Sequence, residues 1–320
     1  MKKILAGLLM GAALVSGSSA FADECKVGVS VYTLNSRFMA ALQQAAIAKA
    51  QALGCEVVST DAQNDLTKQI SDVEDLLAGG VNVLVIDPYN QGGLVATVNN
   101  AAAQGIPVVV MDNTMDASAK FVTMVQSSNI KNGTLVGEWV AKKMGDTPMK
   151  IALLSGQEGS GAGLERRSGL LLGISEEQLR SLGKTNYEIV AQRYTDWTSD
   201  AGLRAMEDIL TAHPDVNVVL SEADIINFGA MRVLDEKGKN DVLVAAAADG
   251  QKEAYAFIKE GKYGATGLND PTLVANTAVE IAVKAFRKEL GDGVQKLTLT
   301  EPAAVHAENV DEYYNPDSVF

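Results

Sequence analysis

The feature that most constrains the fold is a regular alternation of short apolar runs with segments of helical period. The runs fall at 27–31, 57–59, 81–86, 107–111, 150–154, 188–191, 216–220 and 242–248. Most are unbroken stretches of Val, Ile, Leu and Ala, the pattern of strands buried on both faces in a parallel sheet. Between them, Leu66, Ile70, Val73 and Leu77 step by four, three and four, and Val274, Ala278, Ile281 and Ala285 repeat the spacing. Each set marks one face of an amphipathic helix. Strand–helix alternation along the whole chain predicts an α/β, doubly wound architecture. The series divides into two similar halves that change over near 123–129.

The runs share a polar ending. Asp61 follows "EVVST", Asp87 follows "VLVI", Asp112 follows "VVVM", Glu222 and Asp224 follow "VVLS", and Asp249 follows "VAAAA". Open parallel sheets bind ligands beyond the carboxyl ends of their strands. A row of acceptors there suits a ligand rich in hydroxyl donors. Aspartate is also a favoured helix N-cap. Asp61 and Asp87 are read as caps, Asp112 and Asp249 as ligand acceptors.

The start of the chain has another purpose. "MKK", an apolar core at 4–15 and the small-residue end "GSSAFA" form a secretory signal peptide cleaved after Ala22. No later run approaches the roughly twenty apolar residues needed to span a bilayer. Loss of Lys2 and Lys3 takes the formal charge from −13 to −15. An acidic chain without a basic cluster is a poor match for nucleic acid or anionic lipid. Cys25 and Cys55 each open a strand pattern, with one helix between them. Parallel neighbouring strands would bring them within disulfide reach, and export would keep the bond closed; two free buried thiols are the alternative. Two cysteines with only His213 and His306 leave no basis for a structural zinc site.

Catalytic and cofactor motifs are missing. The glycine-rich "SGQEGSGAG" (155–163) lacks the Gly-Lys-Ser/Thr end of a phosphate loop, and no G-x-G-x-x-G follows the first strand. Its glycines are read as letting the backbone pass close to a ligand or change direction. There is no G-x-S-x-G elbow, and His213 in "TAHPD" reads as a helix end. No cofactor or metal is expected. What remains is a set of clamping side chains. Arg166 can fork onto adjacent hydroxyls, Asp112 and Asp249 can accept, and Asn269 can do both. Phe38 and Trp197 offer flat apolar faces to the C–H face of a sugar ring.

The stretches "SVYTLNSRFMAAL", "VVVMDNT", "GLERRSG", "DILTAHPDV", "SEADIINFGAMRVL" and "AAAADGQKEAY", in this order, resemble the periplasmic sugar-binding proteins of ABC transporters. The resemblance is to the ribose-binding, type I group, which shares its fold with LacI-type repressor cores. It implies two Rossmann-like lobes joined by a three-segment hinge. The expected N-terminal lobe is 23–126 plus 270–297, and the C-terminal lobe 127–269 plus 298–320. It also implies a periplasmic, monomeric protein whose closed form docks on an inner-membrane permease. By position, Tyr32, Ser36 and Phe38 fall in the first-lobe lip and Asp112 and Asn113 behind it. Arg166, Trp197, Asp224, Asp249 and Asn269 fall in the second lobe and hinge. Asn113 stands where the group's ribose readers usually carry arginine, Ala223 where an asparagine is common, and Tyr32 replaces a small residue. These departures widen the expected ligand to a neutral pentose, hexose, polyol or cyclitol. The aspartate-rich calcium loop of galactose-binding relatives is not evident. A sensory binding protein and an exported sugar-active enzyme are the alternative readings.

Overall fold

The structure, a computed structural model, describes residues 24–291 and 293–320. The expected signal peptide lies outside the described residues. The first half of the chain runs β1 (Lys26–Val31), α1 (Arg37–Ala52), β2 (Glu56–Asp61), α2 (Leu66–Ala78), β3 (Val83–Asp87), α3 (Val95–Ala103), β4 (Val108–Met111) and β5 (Met124–Gln126). The second half runs α4 (Asn129–Met144), β6 (Met149–Ser155), α5 (Gly161–Leu182), β7 (Tyr187–Tyr194), α6 (Ser199–Ala212), β8 (Val218–Ser221), α7 (Asp224–Glu236), β9 (Leu243–Asp249), α8 (Lys252–Lys259) and β10 (Ala265–Leu268). The remainder is α9 (Pro271–Phe286), β11 (Leu297–Leu299), β12 (Ala304–His306) and a 3-10 turn at Val310–Glu312.

Two sheets result, ordered β11-β5-β4-β3-β1-β2 and β12-β10-β9-β8-β6-β7. The first is parallel throughout, and in the second only β12 runs antiparallel, against β10. Each sheet carries a hydrophobic core on both faces. α1 and α9 cover one face of the first sheet and α2 and α3 the other. α6, α7 and α8 cover one face of the second, and α4 and α5 the other. Burial on both sides is why every residue of β3 and β4 is buried, whereas the edge strands β2 and β7 are largely open. The chain passes between the sheets three times: after β5, after β10 and after β11.

The expected α/β doubly wound class is the observed one. The apolar runs become β1–β4 and β6–β9, while β5, β10, β11 and β12 lay outside the expected set. Those four have three or four residues each, too few to show a period. His213 closes α6, donating its backbone N–H to Ile209 O at 2.7 Å. The two cap assignments need correction. Asp65, not Asp61, caps α2 by accepting from Lys68 N, and α3 begins after Leu94 without a side-chain cap. Asp61 instead accepts from Gln63 N at 2.9 Å in the turn between strand and helix.

Cys25 and Cys55 are disulfide-bonded, their Cα atoms 4.7 Å apart. The register explains it: β1 and β2 start side by side, Lys26 opposite Glu56, and each cysteine immediately precedes its strand.

Candidate functional site

The carboxyl ends of both sheets open on one cavity of about 720 Å³. Nine of the ten residues expected at a site line it: Tyr32, Ser36, Phe38, Asp112 and Asn113 from the first sheet's side, and Arg166, Trp197, Asp249 and Asn269 from the second's. The tenth, Asp224, does not.

On the first side, the stretch after β1 turns into α1 through Ser36, whose side chain accepts from Met39 N at 3.2 Å. Ser36 is therefore both helix cap and cavity lining. Phe38 projects from the first turn of α1, and the Tyr32 ring stands edge-on to Tyr89 at 6.3 Å. Asp112 follows β4 at φ 58°, a left-handed conformation that a residue without glycine's freedom adopts only when its surroundings hold it. The hold is visible: Asp112 N donates to Val125 O at 2.9 Å, and its carbonyl accepts from Gln126 Nε2 at 2.7 Å. Burial pushes the Asp112 carboxyl up to about 6, against the pull of Arg166 and with a further push from Asp249. Asn113 N donates to Asp87 Oδ1 at 3.3 Å, and its side-chain amide donates to Pro88 O at 3.1 Å. Asp87 thus lies beneath the site, wholly buried, with Oδ2 lacking a hydrogen-bond partner among the described residues. Burial and then Asp112 hold its carboxyl well above the usual range.

On the second side, Arg166 is the organiser. It is 8% exposed. Its Nε donates to Asn129 Oδ1 at 2.9 Å and Nη1 to Glu222 O at 3.2 Å, while Nη1 pairs with Asp249 Oδ1 at 3.0 Å. The guanidinium sits 5.7 Å from the centre of the Trp197 ring. Asn269 Nδ2 reaches Asp249 Oδ1 at 3.4 Å, and its own Oδ1 is buried without a partner among the described residues. The Trp197 ring lies flat against the backbone of Gly156: a Cβ added there would meet the ring at 2.3 Å. Glu222, also buried, accepts from Gly156 N at 2.8 Å and pairs with Arg167. The glycine-rich segment therefore does allow close approach, of its own backbone to a cavity side chain.

Asp224 is the correction. It is fully buried, with Oδ2 accepting from the backbone N–H groups of Asp249, Gly250 and Gln251 at 3.1, 2.8 and 3.0 Å, and Oδ1 accepting from the Tyr263 hydroxyl at 2.8 Å. Four donors saturate the carboxylate, so it shapes the loop that presents Asp249. Among the lining residues that were not anticipated are Tyr89, Gln251 and Phe320. Tyr89 could have been found by extending the strand-end rule past Asp87, whereas nothing local marks Phe320.

A family model described as a periplasmic binding protein domain matches residues 27–290. The chain belongs to the periplasmic binding protein family. Across 279 residues it is 36% identical to the ribose import binding protein RbsB of Bacillus subtilis (strain 168), covering 87% of this chain and 86% of that one. The RbsB of Escherichia coli (strain K12) is 31% identical over 290 residues, 90% of this chain and 94% of its own. Among solved structures, an ABC transporter solute binding protein from Mycobacterium smegmatis with bound glycerol superposes with a TM-score of 0.77 at 34% identity, covering 93% of this chain and 99% of that one. These relatives are binding proteins of ABC transporters, and the chain is a binding protein of that family and not an enzyme.

Proposed function

We propose that the protein captures a small neutral sugar, polyol or cyclitol between its two lobes and delivers it to an ABC importer. The observation that carries this reading is the facing pair of sets: Asp112 from one sheet, and the Arg166–Asp249–Asn269 group from the other, on one cavity. Carboxylates accept from vicinal hydroxyls, a guanidinium donates to them, and aromatic faces take the C–H side of the ring. The relatives support the class. Two are named for ribose import, one solved relative holds glycerol, and another, from Bacillus halodurans C-125 at 28% identity and a TM-score of 0.76, holds myo-inositol. Tyr32 and Asn113 set this site's own hydrogen-bond pattern, which separates it from a dedicated ribose reader.

In this reading the lobes are 23–126 plus 270–299 and 127–269 plus 300–320, the expected boundary at 297 moving by two residues because β11 pairs with β5 of the first sheet as far as Leu299. The three crossings act as a hinge. Export with cleavage after Ala22 places a monomer in the periplasm. Among the described residues no helix is long and apolar enough to cross a membrane. A thermal-shift and calorimetry panel of D-ribose, D-galactose, myo-inositol and glycerol tests the reading. A true ligand at one hundred times its Kd adds about 2.7 kcal/mol of stability, and Asp112→Ala removes most of that gain. No response to any of the four would count decisively against it.

A further inference from the structure

Phe320 breaks the pattern of its surroundings. The segment from Asn315 is mostly exposed, and its neighbour Val319 is 61% open, yet Phe320 is turned inward and only 8% exposed. Its ring meets Phe38 edge-to-face, centroids 5.5 Å apart and planes at 88°. Both rings line the cavity. Phe38 belongs to the first turn of α1, on the first sheet's side, whereas the segment before Phe320 is anchored to the second. There Val310 is buried in the core, with Tyr313 and Tyr314 packed against it.

The path from that anchor is built. Ser318 N donates to Asn315 O at 3.1 Å, the Ser318 hydroxyl donates to Phe320 O at 2.7 Å, and Lys252 Nζ donates to Ser318 O. Lys252 opens α8, and the next residue, Glu253, pairs with Arg37, the residue before Phe38. Consecutive residues of α8 therefore hold the 315–320 segment and reach across to the opposite lip, where Arg37 meets Glu253 and Phe38 meets Phe320. α8 in turn starts from the loop that Asp224 fixes through Asp249, Gly250 and Gln251.

We infer that Phe320 is a ligand-contacting wall of the site, and that residues 315–320 form a strap whose aromatic contact with Phe38 sets how slowly ligand leaves. Two rings at right angles make an apolar corner: one can lie over the C–H face of a ring ligand while the other meets its edge. A ligand with a continuous apolar face, a pyranose or a cyclitol, fills that corner better than a short acyclic polyol. The inference rests on the proposed sugar-binding reading.

The experiment is stopped-flow binding of D-ribose, D-galactose, myo-inositol and glycerol to the wild type, Phe320→Ala, Phe320→Leu and Lys252→Ala, with melting curves of each ligand-free protein. Truncating an aromatic pair raises the dissociation rate about ten-fold for the ring ligands and leaves association nearly unchanged. Phe320→Leu falls between, Lys252→Ala shows a smaller change of the same sign, and ligand-free melting is unaltered. A Phe320→Ala protein that releases ligand at the wild-type rate overturns the inference and leaves the proposed function standing. So does a loss of affinity matched by a fall in ligand-free melting temperature in both Phe320 variants. Failure of the wild type to bind any probe overturns the parent reading, and this one with it.

Discussion

Arg166 and Asp249 form an ion pair at 3.0 Å with side chains only 10% and 13% exposed, and the same guanidinium is tied to Asn129 and Glu222. Neither group is free to wander before ligand arrives, so the ordering cost is met by the fold and not by binding. Removing one partner leaves the other charge enclosed and unpaired. Arg166→Ala is expected to destabilise the ligand-free protein by about 3 kcal/mol, measured by denaturant titration. It should weaken ligand binding by about a hundred-fold or more, measured by calorimetry. Arg166→Lys should restore part of the stability and little of the affinity, because an ammonium cannot fork onto two acceptors.

The acids beneath the cleft predict opposite pH slopes for stability and for binding. Burial raises Asp112 and Asp224 to about 6 from an ordinary 3.8 and holds Asp87 well above it, with Asp112 and Asp249 pushing in the same direction. Each carboxyl therefore holds its proton more tightly folded than unfolded. The stabilisation is fully present below the unfolded value and is lost as pH rises through the folded one. Between pH 4 and 6 the loss from Asp112 is roughly 2 kcal/mol, the slope reaching at most about 1.4 kcal/mol per unit, and Asp87 adds a decline of the same sign. Binding runs the other way, since Asp112 must be ionised to accept two hydroxyl donors. Affinity should rise from pH 5 to 7 while ligand-free stability falls. Asp87→Asn should flatten the stability slope, because it removes one of the carboxyls that burial holds protonated, and parallel slopes for the two quantities would refute the account.

These relationships also mark where reading residues in order succeeds. The positions of Asp112 and Asp249 on the cavity were legible because an unbroken apolar run reads as a buried strand, and the residue that closes such a strand lies at the sheet's carboxyl edge. The preference of aspartate for helix N-caps misjudged Asp87. An aspartate before proline looks like a cap, and only the delay of α3 until Val95 shows that the loop, not the helix, begins there. Asp224 was placed in the right neighbourhood with the wrong task, because no local pattern tells a carboxylate that faces a cavity from one that collects three backbone amides. Phe320 sits next to Phe38 through tertiary geometry alone. β10, with Gly267 in its middle, and the three-residue β11 and β12 carry too little side-chain pattern to be read.

The disulfide lies at the far end of the first lobe from the cleft, since Cys25 and Cys55 precede the starts of β1 and β2 while the site lies at strand ends. It closes a loop with a sequence separation of 30. Cross-linking a loop of that size restricts the unfolded chain by about 3 to 4 kcal/mol. Cys25→Ser/Cys55→Ser should lower the denaturation midpoint accordingly and leave ligand affinity unchanged. A fall in affinity alongside stability would show that the lobe's two ends are coupled.

Trp197 offers the cleanest separation of site geometry from stability. The residue sits at φ 59°, following Asp196 at φ 45°, and its ring fills the space where a side chain on Gly156 would be. A Cβ at position 156 would lie 2.3 Å from the ring, a distance that real contacts do not reach. In Gly156→Ala the ring must therefore move, and its partly exposed position at the cavity wall gives it room to swing outward. The ring packs at the margin of the second sheet's core and not within it, so the melting temperature should fall by only a few degrees. The ring would leave its place 5.7 Å from the Arg166 guanidinium, and the flat wall on the second side of the cavity would go with it. Affinity should drop about ten-fold, the scale of a lost aromatic contact, and Trp197→Ala should drop by the same factor. Adding Gly156→Ala to Trp197→Ala should then cost nothing more, because the clash has no ring left to displace. A double variant markedly weaker than Trp197→Ala would mean that Gly156 serves the site by its own backbone and not by making room for the indole.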